Sequence, residues 1–140
     1  MGRGQRRGLL KLLIMTIIIR KKKIHGYGIY KELDELASGI WNPSIGTIYR
    51  VLNELVSKEY IRKEEVMQGN RRVVYYIPTE KGIEEFLKAS DCILRKIRTG
   101  IELIVPTLKS LRERGVYTSS FDDVFERIYY LLRDYLGKRG

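Results

Sequence analysis

The stretch 42–56 constrains this chain most, because two periodicities meet at its end. Ile45, Ile48, Leu52, Leu55 and Val56 recur at the spacing of one helical face, so that face packs inward. Asn42 suits an N-cap, and Pro43 suits the first helical position, where its missing N–H costs nothing. Thr47, Arg50 and Glu54 project from the opposite side, with Gly46 and Ser57 beside them. Small hydroxyls, a guanidinium and a glycine fit a face pressed against something polar and anionic. The N–H groups of the first turn, at Ser44 and Ile45, have no partner inside the helix and can take a phosphate. An ordinary amphipathic surface helix has the same stripe, so the period alone fixes burial and not function.

Beyond this helix the period falls to two. Residues 60–67 and 72–77 are strand-like, rich in Ile, Val and Tyr, and Gln68, Gly69, Asn70 and Arg71 form a polar turn between them. That is an antiparallel hairpin with Arg71 and Arg72 near its tip. Upstream, residues 9–20 are apolar almost all round, which is the mark of a helix buried on most sides. The β-branched run Ile17-Ile18-Ile19 would also suit a strand, but the apolar run is long and continuous. It is too short to span a bilayer. After a basic turn, Arg20 to Lys23, the sequence His25-Gly26-Tyr27-Gly28 opens a second helix. Ile29, Leu33, Leu36 and Ala37 give that helix its inward stripe, and Gly39 ends it. His25 reads as a local packing or hydrogen-bonding residue, and Trp41 as core filler. Helix, helix, helix, hairpin is the order of the winged helix-turn-helix, in which the third helix enters the major groove and the hairpin tracks the backbone.

The C-terminal part has a different pattern. Ile83, Ser90, Ile97, Ile104 and Leu111 alternate with Leu87, Leu94, Ile101 and Leu108 in steps of four and three. That is a heptad seam, suited to a coiled-coil-like contact with a second chain or to packing on the chain's own domain. Gly100 and Pro106 predict a kink or break between them. Ser120, followed by Asp122 and Asp123, predicts the cap of a last amphipathic helix that carries Phe121, Phe125, Leu131 and Tyr135 and ends at Gly137. The fold class is therefore mainly α with a small β-hairpin. Residues 1–82 form a winged-helix DNA-binding domain with a basic N-terminal arm, and 83–140 form a helical dimerisation region.

Charge points to the partner. The net charge of +10 is concentrated: residues 1–31 hold nine of the 27 basic residues and no acid, whereas the remainder balances 18 basic residues against 17 acidic ones. A localised basic field selects a polyanion, nucleic acid before membrane surface. Lys21, Lys22 and Lys23 lie in a turn and are assigned to phosphates. The Gly/Arg arm 1–8 is expected to be unpacked, either an idle terminus or a source of further phosphate contacts. One Cys and one His exclude a disulfide framework and a single-chain tetrahedral zinc site, and suggest a reducing, cytoplasmic setting. No nucleophile–base pair and no phosphate-cradling glycine loop is visible, so the chain is not expected to be an enzyme or to carry a cofactor.

These motifs resemble the PadR family of transcriptional regulators from about Leu9 to Gly82. The resemblance rests on His25-Gly26-Tyr27, on Trp41-x-Pro43-Ser44-x-Gly46-Thr47-Ile48-Tyr49, on Leu52-x-x-Leu55, and on Tyr76-x-x-Thr79-x-x-Gly82 closing the wing. It implies a winged-helix homodimer that binds palindromic promoter DNA. By that resemblance Ser44, Thr47, Tyr49 and Arg50 face DNA, Arg71 and Arg72 serve the wing, and Tyr27 touches a phosphate. Tyr-Pro is frequent after the threonine in such proteins, whereas here Tyr49 is followed by Arg50, which adds a guanidinium able to contact phosphate or guanine. The competing readings are a nonspecific DNA-coating protein and a winged-helix module that binds protein. The seam's apolar residues could hold a small hydrophobic effector, but dry packing is the reading preferred for such a stripe.

Overall fold

The computed structural model of the chain describes residues 3–36 and 43–137. Asn42, Trp41, Gly39, Ala37 and the tip of the N-terminal arm lie outside them. The elements are α1 (Arg3–Lys21), β1 (Ile24–His25), α2 (Gly26–Leu36), α3 (Ile45–Ser57), β2 (Ile61–Gln68), β3 (Arg71–Pro78), α4 (Glu80–Glu113), a 3-10 turn (Ser119–Phe121) and α5 (Asp122–Gly137). Helix α1 begins at Arg3, so the basic arm is largely helical rather than unpacked. Among the described residues no helix is long and apolar enough to cross a membrane.

Two compact units divide the chain, Met1–Ile93 and Leu94–Gly140, with the boundary inside α4. The core of the first is built around α1. Its Leu10, Ile14, Met15, Ile17 and Ile18 are buried, together with Ile29 and Leu33 of α2, Ile48, Val51, Leu52 and Leu55 of α3, and Ile61 and Tyr76 of the sheet. Each fully buried Ile or Leu contributes about 1.5–3 kcal/mol relative to exposure. Leu36 and Ile45, expected to be inward, are 60% and 42% exposed, because each lies where its helix runs off the edge of the core.

The wing has three strands, not two. Residues Ile24 and His25 add to the hairpin by pairing with Tyr76 and Tyr75, giving the order β1-β3-β2. Two residues are too few to show a period of two, so β1 left no sequence pattern. The hairpin closes at Gln68↔Arg71 around Gly69 and Asn70. Gly69 has φ +65°, the sign a type II′ turn requires at its first central position.

Two joints are made by left-handed residues that are not glycine. At the end of α1, Lys22 has φ +67°, and its N–H donates to the Ile18 carbonyl at 2.8 Å. At the end of α3, Glu59 has φ +64°; its N–H donates to Val56 O and the Tyr60 N–H to Leu55 O, which is a Schellman closure. Thr79 secures that joint from the other side. Its Oγ1 donates to the Glu59 carbonyl at 2.6 Å and accepts the Gly82 N–H at 3.0 Å, capping α4. Buried Gly82 brings the first turn of α4 onto the Tyr60 carbonyl, where a Cβ would collide with backbone.

Helix α4 runs unbroken through Gly100 and Pro106, against the break expected there. One missing N–H and one displaced carbonyl are tolerated where the helix is exposed and water can take the freed group. In the second unit, α4 ends in another Schellman closure at Gly115, φ +86°, with Val116 N–H donating to Leu111 O and Gly115 N–H to Arg112 O. Ser120 is not a cap. It lies inside the 3-10 turn, and Arg112 fixes the start of α5 instead, donating from Nε to buried Thr118 Oγ1 and from Nη2 to Asp122 Oδ1, each at 2.7 Å.

Substituting Gly82→Ala pushes a methyl group against backbone that cannot rotate away. The expected loss is at least about 1–3 kcal/mol, read as a lower urea midpoint with unchanged slope. An unchanged midpoint would mean that α4 does not touch Tyr60 in solution.

Candidate nucleic-acid interface

Helix α3 starts later than its sequence suggested, and this changes what its first turn offers. Ser44, extended at φ −67° and ψ 156°, is the N-cap, and its Oγ accepts the Thr47 N–H at 3.2 Å. The Ser44 and Thr47 hydroxyls also bond each other at 2.9 Å. Thr47 N–H is therefore used, and the open N–H groups are those of Ile45 and Gly46 rather than Ser44 and Ile45. Proline raises the extended character of its surroundings and lacks a donor, so Pro43 precedes the cap instead of entering the helix. Ser44, Ile45, Gly46, Tyr49 and Arg50 are exposed and Thr47 is half-buried, while Ile48, Val51, Leu52 and Leu55 hold the helix by its other face.

Tyr49 has an inward role as well as an exposed one. Its ring covers Gly26 so closely that a Cβ there would lie 2.5 Å from the hydroxyl. Gly26 is the first residue of α2, so this contact sets α3 against α2. Burial, and then the neighbouring Tyr49, push the Tyr76 phenol above its ordinary pKa. His25 acts locally, as expected: its Nδ1 accepts the Gly28 N–H at 2.8 Å and caps α2, and its ring lies tilted against Tyr75. Next to it Tyr27 is 54% exposed, stacked on Tyr30 with Lys31 over its face.

The basic residues fall into two groups. Lys21 pairs with Glu32 at 3.1 Å. Lys23 pairs with Glu64 at 2.8 Å and lies over the Tyr75 ring. Arg72 pairs with Glu65 across the hairpin. The Lys23 hydrogen bond and charge hold the Glu64 carboxyl below its ordinary range, and the Glu65 hydrogen bond and charge hold the Arg72 guanidinium still further up. By contrast Lys22, Arg50 and Arg71 are exposed and make no ion pair among the described residues. Charge counting along the sequence could not separate these groups, because Glu64 and Glu65 lie some forty positions from the basic turn.

An open cleft of about 580 Å³ lies between the start of α2, Tyr49 of α3 and the wing. It brings together Tyr27, Tyr49, Arg71 and Arg72 of the expected set, and adds Lys63, Gln68 and Tyr75, which sequence reasoning missed. Gln68 Nε2 donates to the Tyr75 hydroxyl at 2.9 Å, tying the wing tip to its middle strand. Lys22, Ser44, Thr47 and Arg50 do not line the cleft. The strand register holds the missing signal: Lys63 pairs with Tyr76, which fixes the face it shares. A smaller hollow, about 210 Å³, lies between α1, the end of α3 and the start of α4, and carries charges of both signs from Lys11, Lys58, Glu54 and Glu85.

Comparison with known proteins gives a consistent result. A family model described as the transcriptional regulator PadR-like family matches residues 14–88. Over 100 residues the chain is 30% identical to the transcriptional regulator YqjI of Escherichia coli K12, which covers 69% of this chain and 48% of that protein. The chain thus spans about half the length of the curated relatives it matches. A PadR family transcription regulator from Clostridium difficile R20291 superposes with a TM-score of 0.56 at 26% identity, covering 69% of this chain and 97% of that one. Two structures at 18% identity share the fold. A transcriptional regulator from Clostridium thermocellum has a TM-score of 0.64, covering 74% of this chain and 98% of that one. Bacillus subtilis PadR, solved in complex with operator DNA, has a TM-score of 0.54, covering 87% and 78%.

The two glycines of this surface should respond oppositely to a methyl group. Gly26→Ala forces the Tyr49 ring aside and should lower stability by about 1–3 kcal/mol. A Cβ at Gly46 meets only Ser44 Oγ at 3.9 Å, so Gly46→Ala should leave stability unchanged or raise it by about 0.5–1 kcal/mol. Thermal melts of both variants decide it, and a Gly26→Ala protein that melts like wild type would remove the Tyr49 contact.

Proposed function

The chain belongs to the PadR-like family of transcriptional regulators, and from that membership we propose that it is a homodimeric repressor of a palindromic promoter site, acting in the cytoplasm. The observation that carries the reading is the exposed side of α3, where Arg50 stands with no ion pair among the described residues, beside a wing lined with cations. In this reading α3 enters the major groove with Ser44, Thr47, Tyr49 and Arg50, and the wing follows the backbone through Arg71 and Arg72. Tyr27 and the basic turn hold phosphates. Lys22 is the strongest candidate of its triplet, since Lys21 and Lys23 are engaged by Glu32 and Glu64. The same pairings weaken the case for a nonspecific coating protein, which needs the basic first quarter free.

Apolar exposure supports the dimer. Along the α4 seam Leu87, Leu94, Ile97, Ile101 and Ile104 are 61, 60, 49, 36 and 56% exposed, and Leu108 and Leu111 are only half-buried. Leu131 and Tyr135 of α5 are 74% and 73% exposed. So much apolar surface in one region marks an interface. One recognition helix reads too few base pairs to single out a site, whereas two copies spaced one DNA turn apart (about 34–36 Å) read a palindrome. A small hydrophobic effector among these residues has no separate support, and the seam is read as dry packing.

Footprinting on the protein's own upstream region tests the function. A discrete protected inverted repeat is expected; uniform coverage at equal affinity would support the coating protein instead. Arg50→Ala should cost roughly 1–3 kcal/mol of operator affinity and relax preference at one position. Equal weakening on operator and random DNA would make Arg50 a backbone contact. Leu94→Glu places a charge in mid-seam and should give a monomer, or a partly unfolded chain, in sedimentation. A wild type that stays monomeric at tens of micromolar, about one to two orders above a typical constant for so large a seam, would overturn the dimer.

A further inference from the structure

We propose that the cleft between α2, α3 and the wing is a seat for a phosphodiester of the DNA backbone, with Lys63 as its central cation. The inference rests on the DNA-binding reading above and assigns a residue that neither the motifs nor the charge clusters marked. The first observation is the sign of the cleft. Its lining holds Lys63, Arg71 and Arg72 and no Asp or Glu, whereas the hollow on the other side of α3 mixes Lys11 and Lys58 with Glu54 and Glu85. A concave site lined by charge of one sign concentrates its field and draws in an anion.

The second observation is how the three cations are held. Arg72 is tied to Glu65, but Lys63 and Arg71 make no ion pair among the described residues. Lys63 is opposite Tyr76, and Tyr76 is buried at the root of the wing. The ammonium group therefore rises from a fixed point of the sheet rather than from a loop. Around it stand the phenol groups of Tyr27 and Tyr49, so the cleft offers a point charge and hydroxyl donors, which is the equipment that grips a phosphate oxygen.

The third argument is geometric. A duplex that receives α3 in its major groove and the wing in the adjoining minor groove must pass one sugar–phosphate strand between the two elements. The cleft lies there, walled by Tyr49 of α3 on one side and by β2 and β3 on the other. β1 covers β3 only at Tyr75 and Tyr76, which leaves the β3 edge at 71–74 open toward that strand. The occupant is thus the backbone of DNA and not a free anion.

The test compares Lys63→Gln with Arg62→Gln, its neighbour on the opposite face of β2, and measures binding to random duplex and to the footprinted site across a salt series. Both side chains are exposed, so both variants should fold, and equal melting temperatures verify it. For Lys63→Gln the slope of log K against log salt should shrink by about 0.9, with the same fold-loss on both duplexes; Arg62→Gln should keep the wild-type slope. An unchanged slope in Lys63→Gln overturns the seat, and an equal drop in both variants shows that only net charge matters. Inorganic pyrophosphate is the second arm, expected not to raise the melting temperature. Stabilisation of the wild type but not of Lys63→Gln would assign the cleft to a free anion and overturn the backbone phosphodiester. Wild type that binds neither duplex sinks the DNA-binding reading itself, which is distinct from a failure of Lys63 alone.

Discussion

The working geometry of the N-terminal unit depends on one junction, where Thr79 joins the end of α3, the end of the wing and the start of α4. Its hydroxyl bonds in two directions, to the Glu59 carbonyl and from the Gly82 N–H, while its own N–H donates to the Tyr60 carbonyl at 3.1 Å. Each partner is in an unusual state. Glu59 is left-handed without being glycine, a conformation that costs an ordinary residue about 1 kcal/mol or more. Gly82 accepts a backbone contact that no other residue could. The bonds of Thr79 offset the strain at Glu59 and hold the chain in the sharp reversal that sends β2 back along α3. Without that reversal the wing would not lie beside the recognition helix, and the cleft between them would not exist.

Much of this was legible from the sequence, and the failures share a cause. The period of α3, the alternation of the hairpin and the apolar girth of α1 are signals spread over many residues, and they survive in the structure. The Tyr76-x-x-Thr79-x-x-Gly82 motif was visible as a pattern, although what it does required coordinates. The missed features are short or long-range. Strand β1 is two residues long. The start of α3 turned on a choice among three adjacent residues, each able to begin a helix, and Ser44 prevailed because its hydroxyl reaches the Thr47 N–H. The break expected in α4 weighed a proline against its local cost and ignored the regular helix on both sides. Lys63 went unnoticed because nothing nearby in the sequence distinguishes it from Arg62; only the register of the sheet does.

Electrostatics followed the same rule. A basic first quarter gave the right class of partner, yet two lysines of its turn are occupied by carboxylates on α2 and β2. These pairs are exposed, and exposed pairs contribute only about 0–1 kcal/mol. They position side chains more than they stabilise the fold. The Lys23–Glu64 pair, braced on Tyr75, fixes the basic turn to the wing. Because the Glu64 pKa is depressed, whatever this pair contributes is present above the carboxyl's unfolded pKa and fades as pH falls through the lower folded value. Lys22 differs from its neighbours. It occupies a left-handed position where glycine would be easier, and no ion pair among the described residues holds its side chain. A lysine kept under backbone strain, with its charge open to solvent, points to a use outside the fold.

The second unit poses the opposite problem, since its helices have little to rest on. Helix α5 has no buried residue, and Thr118 is the one buried side chain among the described residues of this unit. Isolated helices of such length are marginal in water, and most helical stability comes from covering an apolar face. Arg112 fixes the reversal between α4 and α5, but a salt-bridged turn cannot substitute for a core. The stability of this unit is therefore set by whatever covers the Leu, Ile and Tyr side chains of α4 and α5. With a second copy as the cover, folding of the unit and association become one concentration-dependent equilibrium. The spacing of two recognition helices would then be established in the same step that completes the fold, so a monomer would lack both the palindrome and a fully stable C-terminal region.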